Sequence, residues 1–510
     1  MSAEVTVATP SRIGSAALID LVLDHGSFEP WDAPPAPLPI EAGYRPELEA
    51  ARARTGVDES VVTGAGTVRG VAVAVLVGEF GFLGGSIGVS AAERLVRGIE
   101  RATAAGLPIL AAPVSGGTRM QEGTVAFLQM AKITAAVNRH KRAGLPYLVY
   151  LRHPTTGGVF ASWGSTGHIT VGQPGALIGF LGPRVYESLY GEPFPEGVQR
   201  AENLYAKGLL DAVLDERHLA GMAARTLAIM SAKPAAPPEP APATMTQPEP
   251  EPGARQPVDA WTSIELSRRP DRPGVRSLLR IAAADHVPLN GTGQGESDRS
   301  LLLALARFGD HGAVVLGLDR HAQRLEAPLG PGALRQARRG MRLAQELELP
   351  LVTVVDTAGA ALSKEAEEGG LAGEIARCLS TLLDLTTPTV SVLLGQGSGG
   401  GALALVPCDR VLAAEHGWLS PLPPEGASAI IHRDTDHAPE LARRQRVNAA
   451  ALFEDGIVDR IIAERPDAAG EPVPFCRRMG AAIEATLAEI AAIGVPELLD
   501  RRRDRYRHLG

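Results

Sequence analysis

Apolar residues in this chain come in short runs closed by glycine, and most runs lead into an amphipathic stretch. Val61 onward alternates in the strand period, and Val71–Val77 follows as a second apolar run. Ala91–Ala105 reads as an amphipathic helix. Strand Ile109–Ala112, helix Gln121–Arg142, strand Tyr147–Leu151 and another helix come next. Beyond Trp261 the rhythm resumes. Strands are predicted at Ala313–Leu318, Leu351–Val355 and Val390–Leu394, and helices at Gly332–Glu346, Gly370–Leu385 and Pro474–Ile493. Alternating strands and helices predict an α/β chain with substantial sheet. Near the N-terminus, Leu18–Leu23 and Pro46–Arg54 read as short helices around the proline-rich stretch Trp31–Pro39.

The run Tyr147–Leu151 breaks at Pro154 into Thr155-Thr156-Gly157-Gly158, followed by the small residues Val159, Ala161 and Ser162. Two glycines between a strand end and a helix start allow positive φ and close approach of the backbone to a ligand. Amides there point outward at the positive end of a helix, an arrangement that holds an oxyanion. A tight structural turn is the plainer reading of a lone glycine pair.

The design occurs twice. Thr389–Leu405 again runs from an apolar strand through Gly399-Gly400-Gly401 into Ala402 and small residues. Ser115-Gly116-Gly117-Thr118 pairs with Asp356-Thr357-Ala358-Gly359. Leu177–Pro183 pairs with Trp418–Pro424, and Lys207–Val213 with Asp455–Ile461. Between the copies lies a segment rich in Pro, Ala and Glu with almost nothing to bury, a linker of polyproline character. The expected organisation is an N-terminal extension over 1–60, a domain over 61–230, the linker over 231–258 and a second domain over 259–510.

At 510 residues the chain is too long for one ordinary core. Its formal net charge of −8 argues against nucleic acid as a partner. Cys378, Cys408 and Cys476 are scattered without metal spacing, which fits a reducing compartment, and a cytoplasmic location is expected. No apolar run reaches the roughly 18 residues a membrane span needs, and the N-terminus lacks the basic start and apolar core of a secretory signal.

Two convergent amides suit chemistry that passes through an enolate. Serine hydrolysis has one point in its favour: Gly84-Gly85-Ser86-Ile87-Gly88 fits G-x-S-x-G. Glycine-rich chains match that pattern easily by chance, and the second cluster has Gln396 where the first glycine belongs. No phosphate loop of the G-x-x-x-x-G-K-[ST] kind occurs.

The first half resembles the carboxyltransferase β subunit of bacterial acetyl-CoA carboxylase. The stretches that carry the likeness are Phe82–Gly88, Ser115–Glu122, Leu128–Lys132, Thr156–Val159 and Ala176–Val185. The second half is similar to the α subunit, at Asp356-Thr357, Gly397–Ala404, Ser420-Pro421 and Pro424–Ile430. The fused order resembles the single-chain acyl-CoA carboxyltransferases of actinobacteria. Where the α family usually continues Pro-Gly-Ala-Tyr-Pro-Gly after Asp-Thr, this chain reads Ala358–Ser363, and its basic loop is altered at Asp319–Arg324.

The resemblance implies two tandem crotonase-like (ClpP/crotonase) domains of repeated β-β-α units. It implies that a carboxyl group moves from carboxybiotin on a separate carrier to the α-carbon of an acyl-CoA such as acetyl-CoA. Gly157 and Gly158 would hold the thioester oxygen, and Gly400, Gly401 and Ala402 the ureido oxygen of biotin. Gly84, Gly85, Gly116, Gly117, Arg119 and Arg184 would meet the acyl-CoA, structural ion pairing being the other reading of the two arginines. The ureido nitrogen would take the α-proton, so His153 is a candidate base the mechanism does not require. Glu122 and Glu425 are expected to orient the turns. A biotinylated carrier or biotin carboxylase subunit, a homo-oligomer with each site shared between two chains, and no bound metal are also implied. The alternatives are a biotin-independent acyl-CoA decarboxylase and a non-catalytic structural subunit.

Overall fold

The computed structural model describes Pro10 and residues 12–35, 44–232, 258–325 and 328–507. Apart from Ser231, Ala232 and Val258, the predicted linker lies outside the described residues. The chain divides into two compact units, Met1–Ala228 with Leu289–Glu296, and Ile229–Pro288 with Ser297–Gly510.

In the first unit, Val61–Val68 and Val71–Gly78 pair antiparallel. Arg69 and Gly70 between them both take positive φ, as a two-residue hairpin of matching twist requires. The sheet then turns parallel. Val71–Gly78 lies beside Ile109–Ala112, then Tyr147–Leu151, Ile169–Gly172 and Ala212–Val213, with Glu29–Pro30 on the opposite edge. Parallel strands are covered on both faces, so they read as continuous apolar runs. Helices Val89–Ala104 and Gly123–Arg142 supply Leu95, Ile99, Ile133 and Val137 to a core shared with Leu76, Tyr147, Val149 and Trp163.

The described part of the segment read as an extension packs onto this unit. Helix Ser15–Val22 buries Leu18, Ile19 and Val22. The Ser15 amide and hydroxyl both donate to Glu79, at 2.7 and 2.9 Å. Helix Tyr44–Thr55 buries Tyr44, Leu48 and Ala51 against Phe82.

The second unit repeats the plan. Leu301–Phe308 and His311–Leu318 form the antiparallel pair. Leu351–Thr357, Thr389–Ser398, Arg410–Ala414 and Arg460–Ile462 continue in parallel. Phe475, Met479, Ile483 and Leu487 of helix Pro472–Ala491 fill the core with Val315, Val354 and Val392. Among the described residues no helix is long and apolar enough to cross a membrane, and no group of three or more His, Cys, Asp or Glu is placed to hold a metal.

Candidate active site

After Tyr147–Leu151 the chain leaves the main sheet. Thr155–Thr156 pairs in parallel with Ile178–Gly179, aligning Thr155 with Ile178 and Thr156 with Gly179. The next residues form a single helical turn, Gly157–Phe160. The equivalent in the second unit, Gly399–Leu403, is one residue longer. The longer small-residue helices expected after each glycine cluster are therefore corrected to single turns. What survives of the anion-binding argument is the row of first-turn amides that a helix leaves without internal acceptors.

The two glycines of the first turn differ. Gly157 sits at φ +63°, and its amide donates to the Phe180 carbonyl at 3.0 Å. That amide is used by the fold, which corrects the expectation that Gly157 serves as a donor to substrate. Gly158 lies outside the left-handed region, and among the described residues no carbonyl accepts from its amide or from that of Val159. The free donors are one residue further along than expected.

The neighbouring glycines converge here. Gly116 donates its amide to the Gly84 carbonyl at 2.8 Å. Gly117, at φ +119°, lies against Gly157, and a Cβ on Gly117 would stand 3.8 Å from the Gly157 Cα. Gly85 lies behind, where a Cβ would collide with the Val114 carbonyl at 2.1 Å. The Ser115 hydroxyl accepts from the Gly117 amide at 2.9 Å and donates to its carbonyl at 3.2 Å. Thr357 does the same to Gly359, at 3.2 and 3.1 Å, with Gly359 at φ +135°. Ile87 bridges Thr118 as Leu329 bridges Ala360. The repeat thus pairs Ser115 with Thr357, one residue away from the pairing read from sequence. A hydroxyl residue two before a glycine, present in both halves, is the signal that would have found this brace.

In the second unit, Gly399 takes φ +67°, and the Gly400 and Gly401 amides occupy the first turn with no acceptor among the described residues. A Cβ on Gly400 would meet Ile375 Cδ1 at 2.7 Å, and one on Gly401 would meet Leu329 Cδ2 at 2.4 Å. Ala402 is wholly buried and floors the turn. Leu419 and Ser420 pair with Gly397 and Ser398, so Leu177 does correspond to Trp418.

The charged candidates divide. Arg119 has no exposed side-chain surface. Its guanidinium donates to Glu59, to the Ser60 hydroxyl at 3.0 Å and to the Ser86 carbonyl at 2.8 Å. Arg119 as a contact for CoA is therefore a correction: its charge is consumed inside the fold. Arg184 lies in helix Pro183–Tyr190, and its side chain is outside the described part of the structure. Glu122 accepts from the Val89 amide at 2.6 Å and from the Tyr44 hydroxyl at 2.8 Å, so it orients the start of a helix. Glu425 pairs with Arg268 through both oxygens. Ser86 donates to the Leu83 carbonyl at 2.8 Å and faces Arg119 Nε at 3.4 Å, a cation rather than a base, which removes the hydrolase reading. His153 Nδ1 accepts from the Leu177 amide at 3.0 Å, so it is no free base. Asp356 is buried against Arg320 at 3.3 Å and accepts from the Gln396 amide, and burial pushes its carboxyl up.

The carboxyl transferase domain family matches residues 15–498. The chain belongs to the carboxyl transferase domain family. It is 60% identical over 500 residues to the probable biotin-dependent acyl-coenzyme A carboxylase beta3 subunit of Mycobacterium tuberculosis, covering 98% of this chain and 99% of that one. It is 36% identical over 520 residues to the acetyl-coenzyme A carboxylase carboxyl transferase subunits beta/alpha of Salinispora arenicola, covering 98% and 91%. Among solved structures, transcarboxylase 12S superposes with a TM-score of 0.73 at 21% identity, over 94% of this chain and 89% of that one. A single-chain, multi-domain long-chain acyl-CoA carboxylase superposes at 0.67 and 18% identity, over 92% and 46%. The carboxyl transferase units carry the crotonase-type fold that the sequence motifs implied.

Proposed function

We propose that the chain is the carboxyltransferase component of a biotin-dependent acyl-CoA carboxylase, acting on an acyl-CoA such as acetyl-CoA, from which it would make malonyl-CoA. The observation that carries the reading is the Gly158 amide, left without an acceptor beside a Gly157 amide locked onto Phe180. Removing the α-proton of a thioester puts negative charge on its oxygen. A donor already fixed in place stabilises that charge without reorganising. Gly84, Gly116 and Gly117 allow the backbone to come close to the acyl-CoA, whereas Gly85, expected there too, gives its space to the Val114 carbonyl. Biotin, held on a separate carrier, supplies the carboxyl group and a ureido nitrogen to take the proton. The Gly400 and Gly401 amides suit the ureido oxygen, and Ala402 backs them. Family membership and the names of the relatives support this reading.

Assembly of two or more copies belongs to the proposal. Met120, in the turn just before helix Gly123–Arg142, and Val125, Phe127 and Leu128 in the first turns of that helix are all exposed, apolar side chains of the kind that mark an interface. Light scattering that found a stable, active monomer would remove this element.

Gly158→Val tests the chemistry. It keeps the amide but drives a branched side chain against the Thr118 hydroxyl and Met130, 3.2 and 3.3 Å from the position of its Cβ, which displaces the turn and the direction of that amide. In folded protein, carboxyl transfer from a carboxylated carrier to acetyl-CoA should fall at least ~100-fold, the scale of one lost oxyanion donor. A folded variant with the wild-type rate would overturn the proposed role of the turn.

A further inference from the structure

The Gly158 amide is aimed by a short ladder, and the first rung of that ladder is a side chain. The Leu177 amide donates to His153 Nδ1 at 3.0 Å. Thr155 then donates to the Leu177 carbonyl at 2.9 Å, and Gly157 to the Phe180 carbonyl at 3.0 Å. The residue after that last rung is Gly158. The second unit needs no such ring. Its strand Thr389–Ser398 runs unbroken, and Gln396 pairs with Trp418 through the backbone. By the same correspondence Gly395 stands where His153 stands. In the first unit the strand breaks at Pro154, and an imidazole meets the Leu177 amide instead.

We propose that His153 is a positioning residue for carboxyl transfer, its unprotonated Nδ1 anchoring the 177–180 segment that fixes the direction of the Gly158 amide. The inference rests on the role proposed above for Gly158. A backbone N–H can only donate, so Nδ1 accepts and the ring hydrogen is on Nε2. The exposed Arg12 guanidinium, 3.1 Å from Nε2, can also only donate, so in this tautomer it meets the Nε2 hydrogen as a cationic neighbour and not as a hydrogen-bond partner. Arg200 is the other cation facing the ring, and burial, Arg12 and Arg200 together hold the imidazole below the ordinary histidine range. The His153 amide is held by Gln173, whose own amide reaches Glu216, and Glu202 is turned to the Gly175 amide. A second proton on the ring would set two donors face to face and open the first rung.

The test compares three replacements at His153 in the full chain, assayed with carboxylated carrier and acetyl-CoA. The Asn amide oxygen can stand where Nδ1 stands, the longer Gln places its oxygen nearer Nε2, and Ala offers no acceptor. His153→Ala and His153→Gln should lose about 10- to 100-fold in kcat with KM for acetyl-CoA little changed, and His153→Asn should stay within about threefold of wild type. The ratio of wild-type to His153→Asn rates should fall with pH below 6.5, because only wild type has a proton to gain there. The proposal is overturned if the three variants lose activity alike, if none loses it, if Gln serves as well as Asn, or if the ratio stays flat as far down in pH as the protein remains folded. Should the variants fail to fold, hydrogen exchange on wild type decides: corrected for intrinsic rates, protection over 174–181 must drop across the same range, and unchanged protection overturns the anchor. Gly158→Val separates the two ideas. Full activity there removes the turn's role, whereas loss there without the Asn, Gln and Ala pattern removes only that of His153.

Discussion

Gly157 and Gly117 meet backbone to backbone: a Cβ placed on Gly157 would stand 3.2 Å from the Gly117 Cα. Only Gly157 is crowded, a Cβ on Gly117 making ordinary contact at 3.8 Å, but both sit at positive φ, which disfavours any side chain. We predict that Gly157→Ala costs about 1–2 kcal/mol, the penalty of left-handed backbone for an L-residue, plus the contact. Gly158→Ala should cost less, since its φ is ordinary and its nearest neighbour is the Thr118 hydroxyl at 3.2 Å. Urea unfolding of the two variants checks the order; equal stabilities would contradict it.

Arg119 should prove to be a stability residue. Removing its charge in Arg119→Met leaves the Glu59 carboxylate buried without its cation. We predict a loss on the order of 3–5 kcal/mol, the range for breaking one side of a buried pair. Adding Glu59→Gln should recover part of it. A stable Arg119→Met protein with a raised KM for acyl-CoA would restore the CoA-contact reading.

Gly401 is defended by Leu329, whose Cδ2 occupies the space a Cβ would need. We predict that Gly401→Ala destabilises by about 1–3 kcal/mol, as overpacking does. Leu329→Ala placed on top should cost less than Leu329→Ala alone, because the first change fills part of the gap the second opens. Additive effects in a double-mutant cycle would show that the overlap is relieved elsewhere.

His140 gives the first unit an acid limb. It is wholly buried, with Nδ1 3.0 Å from the Thr103 hydroxyl and Nε2 3.2 Å from the Pro146 carbonyl. Burial pulls its pKa down from 6.5 to about 4, the Pro146 contact opposing and His168 assisting. With the folded value below the unfolded one, the unfolded chain binds the proton first as pH falls. The contribution is whole above 6.5 and is lost down to about 4, at up to ~1.4 kcal/mol per pH unit. We predict that His140→Gln flattens this limb in denaturant titrations at stepped pH. An unchanged slope would exclude His140 as its source.

Much of this architecture is local and was legible without coordinates. Ile109–Ala112 and Tyr147–Leu151 occupy the strands their apolar runs predicted, because a parallel strand buried on both faces leaves no polar position to blur the signal. The internal repeat was legible for a related reason: each glycine turn needs positive φ at one position, and only a few residue types supply it. Boundaries were softer. The helix predicted from Gln121 starts at Gly123, because Met120–Glu122 forms a tighter turn and Gly123 takes φ +60°.

The tertiary structure decided how polar groups are spent. Spacing put Gly157 and Gly158 side by side as equal donors; only the arrival of Phe180 at the end of a distant strand uses one amide and leaves the other. Arg119 sits in a motif that reads as substrate-facing, yet its partner is Glu59, sixty positions away in the chain. Arg502 belongs to the charged run 500–505, which nothing in periodicity would bury. It lies inside on Asp409 and the carbonyls of Leu385 and Thr387. Periodicity reports which face of an element turns inward. It carries no record of which donor meets which acceptor there, because that pairing is set by distant segments arriving in register, and a buried polar group takes whatever partner the fold brings.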